Sequence, residues 1–238
     1  MVCRTWMRII GLLALGACAS PGLYGLPVSS RSVVFLVDVS NSMLGQQEQG
    51  VWKSKTRDIV ERGARTAVRE IDRGGPVPGL GSTIHGWLDA EARRQRTKLA
   101  EAKRELRPAI RALPAATRFN VLVFSADVSA WRPALVRVSP ETKRSAVDAL
   151  DRYVAGGATA IGKALEAALR MDGVEEIFLI TDAMPTDLSP KRILADVASL
   201  NADRRVRIHA VGIGKDQDAE FLRALAAQNG GRYVQRRE

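Results

Sequence analysis

The sequence predicts a Rossmann-like, doubly wound α/β domain with a mostly parallel central sheet, helices on both faces, and a helical insertion after the first strand. Three observations support this prediction. Strand-like and helix-like segments alternate from residue 97 onward. The strand-like segments contain the continuous apolar runs 33–37 and 177–180, which are typical of strands buried on both faces. The helical segments carry apolar residues at a spacing of three or four, so each has one face that can pack on a sheet.

The first 18 residues of the 238-residue chain predict an export signal. Arg4 and Arg8 precede the apolar stretch 9–17, which is too short to span a bilayer as a folded helix. This stretch leads into Cys18 with an ending, Leu-Gly-Ala-Cys, that resembles the lipobox of bacterial lipoproteins. We therefore expect Cys18 to be lipidated and the protein to reside in the bacterial periplasm or at the outer membrane. Ordinary secretion and an N-terminus that is not a signal are the alternatives.

Cysteine usage agrees with an exported domain that does not depend on thiol chemistry. Cys3 and Cys18 are the two cysteines of the chain, and both lie within the predicted signal. Disulfides, thiolate zinc sites and cysteine nucleophiles are therefore excluded from the remainder. Residues 19–32 are rich in Ser, Pro and Gly and predict a tether, which places the folded domain at 33–238.

The chain is basic, with 36 Lys and Arg against 26 Asp and Glu and a formal charge of +10. Nucleic-acid binding would require a basic stripe with interleaved aromatic residues, and the sequence has neither. We interpret the scattered basic residues as a solvated surface that is favourable near anionic lipid head groups. We expect no nucleic-acid partner.

The first predicted strand runs into three oxygen-bearing side chains. The apolar run 33–37 ends at Asp38, and Ser40 and Ser42 follow at alternate positions. If the chain turns there, these side chains converge at the carboxyl end of the strand, the edge where open α/β sheets place their ligand sites. A carboxylate with two hydroxyls suits a hard divalent cation. The alternative is an ordinary polar turn after the strand.

Residues 45–96 interrupt the alternation of strands and helices and predict the insertion. Apolar spacing predicts one helix within 59–71, the Gly- and Pro-rich stretch 74–81 ends it, and 84–96 predicts a second helix. One interpretation is a surface excursion that packs its apolar stripe on the domain. The other is a partner-binding flap, because the insertion leaves the chain beside the three oxygen-bearing side chains.

The remaining elements follow from apolar periodicity and from residues that begin or end helices. Ser139 and Pro140 are a favourable helix start, and Pro114 ends the preceding helix. Trp131 and Pro133 within 128–138 indicate an edge strand or an extended loop. The predicted helices are 99–113, 139–154, 161–171, 190–200 and 218–228, and the further predicted strands are 119–124, 176–181, 206–213 and 232–234.

Two further segments place oxygen ligands at the same predicted edge. Thr159 follows the turn 156–158 and precedes a helix, and Asp182 ends the strand 176–181. Asp-x-Ser-x-Ser, Thr and Asp, in this order and in these elements, resemble the motif of the von Willebrand factor type A domain. The resemblance covers residues 33–44 and 97–236.

This resemblance implies a metal-ion-dependent adhesion site that holds Mg²⁺ or Mn²⁺. Ser40 and Ser42 would coordinate the ion through their hydroxyls, and Thr159 would do so directly or through water. Asp38 and Asp182 would mostly hold metal-bound waters and so orient the direct ligands. Because few anionic ligands bind the ion directly, its open position would favour an acidic side chain presented by a protein partner.

Three features depart from the family pattern. Asn41 and Ala183 stand where the family often has glycine. In the family the first helix follows the metal loop almost at once, whereas here the insertion 45–96 delays it. We hypothesise that the inserted segment lies over the metal face and restricts which partners reach it.

A catalytic role is the rival class of function. The sequence contains no Gly-x-Ser-x-Gly elbow and only two histidines, His85 and His209. His209 lies in an apolar strand, and we interpret it as a satisfied core residue. We therefore predict a binding module and no enzyme. A hydrolase that uses the same cation as a Lewis acid, and a scaffold with a metal-free site, are the alternatives.

Overall fold

A computed structural model describes residues 22–44, 97–182, 184–215 and 217–236 of the chain. The predictions for the signal 1–18, including Cys18, and for the insertion 45–96 lie outside the described residues, as does Ala183. Within the described ranges, no helix has the length and apolar character needed to cross a membrane.

The described residues form an α/β domain whose elements, from the first long strand onward, agree with the sequence prediction in type and order. Their ends differ from the predicted ones by one or two residues, which is ordinary for helix and strand ends. A short 3-10 helix, Asn41–Leu44, follows the first long strand. The helices are α1 Lys98–Ala112, α2 Pro140–Arg152, α3 Ile161–Leu169, α4 Pro190–Asn201 and α5 Ala219–Gln228. The strands are β1 Gly22–Leu23, β2 Leu26–Pro27, β3 Ser32–Asp38, β4 Arg118–Phe124, β5 Val128–Ala130, β6 Val136–Arg137, β7 Glu176–Thr181, β8 Arg207–Ile213 and β9 Tyr233–Arg236.

The prediction of a mostly parallel sheet is confirmed. The central sheet of the described part has the strand order β5-β4-β3-β7-β8-β9, with β6 also paired to β4. Neighbouring strands from β4 to β9 run parallel, whereas β5 and β6 run antiparallel to β4. The chain passes from β3 to β4 on one side and later to β7 on the other, so the strand order reverses at β3. The carboxyl ends of β3 and β7 therefore border the crevice where such sheets bind ligands.

The two faces of the sheet carry separate apolar cores, because alternate residues of each strand point to opposite faces. Along β3, Val33, Phe35 and Val37 pack in the core that includes α1 and α2. Val34 and Leu36 pack in the core that includes α3, α4 and α5. All five side chains are fully buried, which explains why this strand shows no polar alternation.

The prediction that residues 19–32 form a tether is wrong for the part that the structure describes, from residue 22 onward. Strands β1 and β2 form an antiparallel hairpin. The hairpin residues Leu23 and Leu26, and Val28 just after it, are buried in the same core as α1. Ser, Pro and Gly indicated a linker, but the apolar residues between them remove core surface from water and so favour folding. The folded domain therefore includes residues 22–32.

Candidate metal centre

Asp38 and Asp182 stand at the ends of adjacent strands at the carboxyl edge of the sheet. Asp38 is the last residue of β3, and Asp182 directly follows β7. Their relative exposures are 0% and 1%. The parallel register places Val37 of β3 opposite Ile180 of β7, so the two carboxylates emerge at the same end of neighbouring strands. The structure thus places both aspartates of the predicted motif at one edge.

Two residues of this chain hold the Asp38 carboxylate. The backbone N–H of Ser40 donates to Oδ1 at 2.8 Å, and the Thr181 hydroxyl donates to Oδ2 at 2.5 Å. Burial nevertheless dominates and raises the pKa of Asp38 to about 6, although the hydrogen bonds from Ser40 and Thr181 lower it. The negative charge of Asp182 acts in the same direction as burial. The ionised form of Asp38 is therefore costly here unless a cation lies nearby.

A chain of hydrogen bonds connects the two serines of the predicted motif to Asp182. The Ser42 hydroxyl donates to Asp182 Oδ1 at 2.7 Å. The hydroxyl oxygens of Ser40 and Ser42 are 2.9 Å apart, which is hydrogen-bond distance. Ser40 and Asp182 are buried and Ser42 is partly exposed, so solvent reaches this chain of hydrogen bonds at Ser42.

Thr159 lies in the loop 153–160, which connects α2 to α3 across the same edge. Two backbone hydrogen bonds, of 2.7 and 3.1 Å, join residues 156–157 of this loop to residues 39–41. On the other side, the Thr159 N–H donates to the Thr186 hydroxyl at 2.9 Å. Thr159 itself is 4% exposed. The loop that carries Thr159 is therefore bound both to the serine segment and to the loop that follows Asp182.

Lys98 belongs to this cluster, and the sequence analysis did not assign it to the site. It is the first residue of α1, its side chain is 5% exposed, and its ammonium donates to Asp182 Oδ2 at 2.8 Å. Each oxygen of Asp182 thus has a donor from this chain. The sequence did contain a signal, because Lys98 stands four residues before Ala102 and so lies on the helix face that α1 buries.

Thr181 is the second residue that the sequence analysis missed, as it was assigned only to the strand. It ends β7 directly before Asp182, and its hydroxyl holds Asp38 across the gap between the strands. A lone hydroxyl at the end of an otherwise apolar run was the available signal. Its partner could be identified only from the register between β3 and β7.

The oxygen donors at this edge suit a hard divalent cation. Ser40, Ser42 and Thr159 bring hydroxyls, and Asp38 and Asp182 bring carboxylates, which are the ligand types that Mg²⁺ and Mn²⁺ prefer. The described ranges contain no cluster of three or more His, Cys, Asp or Glu, so a metal site here depends on hydroxyl oxygens. The raised pKa of Asp38 fits such an ion, because a cation at this edge would stabilise the carboxylate that burial disfavours.

At the opposite edge of the sheet, Glu176 is a buried carboxylate in a different environment. Ser29 donates to it from its N–H at 3.0 Å and from its hydroxyl at 2.9 Å, and Arg207 Nη1 lies 3.2 Å from Oε1. His209 Nδ1 accepts from the Arg232 N–H, so His209 Nε2, 3.2 Å from Glu176, carries a proton that it donates. Burial raises the pKa of Glu176, but the hydrogen bonds from His209 and Ser29 outweigh burial and lower the pKa to about 2. His209 is therefore a satisfied buried residue, as predicted.

The domain has relatives among known proteins. A family model described as von Willebrand factor type A domain matches residues 88–235, which is more than half of the chain. The human von Willebrand factor A domain-containing protein 3A is 33% identical over 117 residues, covering 48% of this chain and 10% of that protein. Human inter-alpha-trypsin inhibitor heavy chain H4 is 31% identical over 128 residues, covering 48% of this chain and 14% of that protein. This chain thus spans a small part of the length of these relatives.

Solved structures show the same fold at low sequence identity. A von Willebrand factor type A protein from Catenulispora acidiphila has a TM-score of 0.59 at 21% identity, covering 89% of this chain and 40% of that one. An aerotolerance-related membrane protein from Bacteroides fragilis has a TM-score of 0.54 at 16% identity, covering 87% of this chain and 91% of that one. The manganese-loaded TRAP protein of Plasmodium vivax has a TM-score of 0.51 at 19% identity, covering 87% and 68%.

Proposed function

The chain belongs to the von Willebrand factor type A domain family, which often mediates metal-dependent protein interactions, and we propose that it is itself a divalent-metal-dependent protein-binding module. The observation that carries this proposal is the cluster of oxygen atoms at the carboxyl edge of the sheet, where the strand order reverses. Ser40, Ser42 and Asp182 form one continuous hydrogen-bonded chain there, and Asp38 lies beside it with its pKa raised by burial. A carboxylate that is costly to ionise becomes favourable when a cation compensates it.

In this proposal the ion is Mg²⁺ or Mn²⁺, and the five motif residues divide into two roles. Ser40, Ser42 and Thr159 hold the ion through hydroxyl oxygens. Asp38 and Asp182 orient the bound waters. This role fits the hydrogen bonds that Asp38 accepts from Thr181 and that Asp182 accepts from Lys98. The bound ion supplies an open, electron-poor coordination position. The manganese-loaded TRAP protein is a member of the same fold that carries such an ion.

We propose that the ligand is an acidic side chain of a protein partner, flanked by apolar residues. Three large apolar side chains are exposed in the described ranges: Val154 at 76%, Met184 at 57% and Leu188 at 43%. Val154 belongs to the loop that carries Thr159, and the other two belong to the loop after Asp182. Exposed apolar side chains around a charged centre are what a partner buries when it docks, while the cation fixes its acidic group.

A peptide with one aspartate between leucines is a direct probe of this ligand class. We expect it to bind the protein in the presence of Mn²⁺ and to be released by a chelator, as measured by fluorescence anisotropy. The matched control is the same peptide with asparagine in place of aspartate. Equal binding of the two peptides would contradict the proposed role of the acidic group.

For location we propose the bacterial cell envelope, with Cys18 as a lipid anchor and the periplasm or outer membrane as the compartment. The support is the lipobox-like sequence before Cys18 and the fold likeness to a membrane protein of Bacteroides fragilis. Metabolic labelling with a fatty-acid analogue tests the anchor. Label that persists in Cys18→Ser protein would contradict it.

We propose binding in preference to catalysis. A hydrolase would need a general base beside the ion. Within the described ranges the candidate histidine base is His209, and it is hydrogen-bonded to Glu176 at the opposite edge of the sheet. The two carboxylates at the metal edge accept hydrogen bonds from Ser40 and Thr181, or from Ser42 and Lys98. These bonds favour positioning roles for the carboxylates.

Metal binding is tested by calorimetric titration of Mn²⁺ and Mg²⁺ into wild-type protein, Asp38→Ala and Thr159→Ala. We expect saturable binding of one ion to the wild type and at least tenfold weaker binding to both variants. Ser199→Ala is the control, because Ser199 is an exposed serine in the last turn of α4, at the end of the helix remote from the metal loops. Wild-type protein that binds no ion, or binds no better than the two variants, would contradict the proposal.

A further inference from the structure

We propose that Lys98 is a resident counter-cation of the metal centre, which compensates Asp182 in the metal-free protein and weakens the binding of a divalent ion to the same centre. This inference rests on the proposed metal-binding function and concerns how that function is tuned. It begins from a buried ammonium group whose residue, Lys98, is not one of the five motif residues.

The burial of the charged Lys98 side chain has two free-energy costs, which a charged partner must offset. Its side chain is 5% exposed, and a buried ammonium requires a charged partner because desolvation is costly. Lys98 is also the first residue of α1, where the helix dipole disfavours a positive charge. The 2.8 Å hydrogen bond to Asp182, which is itself fully buried, compensates both costs.

The chain also leaves space for this lysine on its other side. Gly214 follows β8 at the same sheet edge, and a Cβ added there would lie 2.8 Å from Lys98 Cε and 3.0 Å from Nζ. Any residue larger than glycine at this position would therefore require the end of the Lys98 side chain to shift from its present position. The backbone of Gly214, with φ of +86°, favours glycine independently.

The position of the ammonium determines its effect on an ion. Lys98 donates to Oδ2 of Asp182, and Ser42, one of the proposed direct ligands, donates to Oδ1 of the same carboxylate. An ion held by Ser42 would thus share Asp182 with the ammonium across a buried, weakly screened distance. Two positive charges so placed repel each other, so the lysine lowers the affinity for the ion. The Lys98 ammonium also draws electron density from Asp182, so this carboxylate compensates the charge of the ion less. The ion then favours an acidic side chain of a partner at its open position.

Removing the charge of Lys98 distinguishes an effect on metal affinity from a purely structural role of this side chain. We expect Lys98→Met to bind Mn²⁺ about tenfold more tightly than wild type, with free Mn²⁺ measured by electron paramagnetic resonance on the full-length protein. The metal-free variant should unfold at a lower urea concentration, because Asp182 loses its partner, and saturating Mn²⁺ should restore the midpoint. Lys98→Gln, which keeps a hydrogen-bond donor without the charge, is the second variant and should also bind more tightly.

Lys163→Met is the matched control. Lys163 stands in the first turn of α3, its side chain is 59% exposed, and its removal takes the same charge from solvent instead of from the buried cluster. We expect its Mn²⁺ affinity to equal that of the wild type within about twofold.

The outcomes distinguish this inference from the proposed function. Wild-type protein that binds Mn²⁺ as well as or better than both Lys98 variants would overturn the inference and leave the proposed function standing. Binding by the Lys98 variants alone would mean that the ammonium replaces the ion in this chain, and would overturn both the proposed function and the tuning that rests on it. No binding by any of these proteins would overturn both.

Discussion

Asp38 and Glu176 are buried carboxylates at opposite edges of one sheet, and their surroundings shift their pKa values in opposite directions. Asp38 receives hydrogen bonds from Ser40 and Thr181, yet burial raises its pKa to about 6. Burial also disfavours the charge of Glu176, but donors from Ser29 and His209 outweigh it and lower the pKa to about 2. The ionised form of Glu176 therefore stabilises the fold, whereas the ionised form of Asp38 destabilises it in the absence of a nearby cation.

This difference separates a structural edge from the edge proposed to be functional. At the amino-terminal edge, the chain itself supplies the charges and donors that Glu176 needs, and they join the segment 22–32 to β7 and β8. At the carboxyl edge, the part of the chain that the structure describes supplies the ammonium of Lys98 for two neighbouring carboxylates. Negative charge that is not fully compensated is what attracts an external cation.

The largest effect is expected from removal of the charge at the structural edge. Glu176→Gln should lower the free energy of unfolding by about 3 kcal/mol at pH 7, since the hydrogen bonds that depress the pKa to about 2 favour the anion. Urea denaturation measures this loss. Glu166→Gln, at an exposed glutamate on α3, is the control and should change stability by less than about 0.5 kcal/mol. Equal stability of the two variants would remove the distinction between the edges.

The same type of substitution should have the opposite sign at the functional edge. Asp38→Asn should stabilise the metal-free protein by about 1–2 kcal/mol at pH 7, because it removes a buried charge that the fold disfavours. It should also abolish any stabilisation by Mn²⁺. The control is Asp196→Asn at a partly exposed aspartate of α4, and urea denaturation with and without Mn²⁺ is the measurement. A metal-free Asp38→Asn protein less stable than wild type would contradict the predicted sign.

The two carboxylates should also divide the pH dependence of the metal-free protein. The native pKa of Asp38, about 6, lies above its unfolded value, so this group lowers stability as pH rises from about 4 to 6. The native pKa of Glu176, about 2, lies below its unfolded value, so its stabilisation disappears as pH falls from about 4.5 to 2. Each slope is at most about 1.4 kcal/mol per pH unit. Subtracting the Asp38→Asn and Glu176→Gln curves from that of the wild type isolates the two contributions, and slopes of the same sign would refute this division.

The smallest effect concerns one donor of the structural edge. Ser29→Ala removes the hydroxyl that donates to Glu176 and should cost about 1 kcal/mol of unfolding free energy. Ser129→Ala, an exposed serine on β5, should cost less. A Ser29 variant as stable as the wild type would show that the segment 22–32 contributes little to this edge.

Most of the fold could be predicted because the strands are buried on both faces. Continuous apolar runs such as 33–37 and helical periodicity in the segments between them are local signals, and local signals determine element type. The segment 22–32 could not be predicted in this way. Leu23 and Leu26 are too few to form a periodic pattern, and their burial depends on contacts with the distant helix α1.

For the site, sequence position indicated which residues stand at strand ends, but not which of them touch. Asp38 and Asp182 follow recognisable strands, so their common edge could be inferred. The contacts from Thr181 to Asp38 and from Lys98 to Asp182 join residues more than eighty positions apart. Such contacts depend on the register between β3 and β7 and on where α1 packs, which no local pattern contains.

Anomalous scattering at the manganese absorption edge, from crystals grown with Mn²⁺, would locate the proposed ion. We expect one strong peak in the crevice between β3 and β7, bounded by the hydroxyls of Ser40, Ser42 and Thr159. No peak there in wild-type crystals, or manganese bound only elsewhere on the chain, would contradict it.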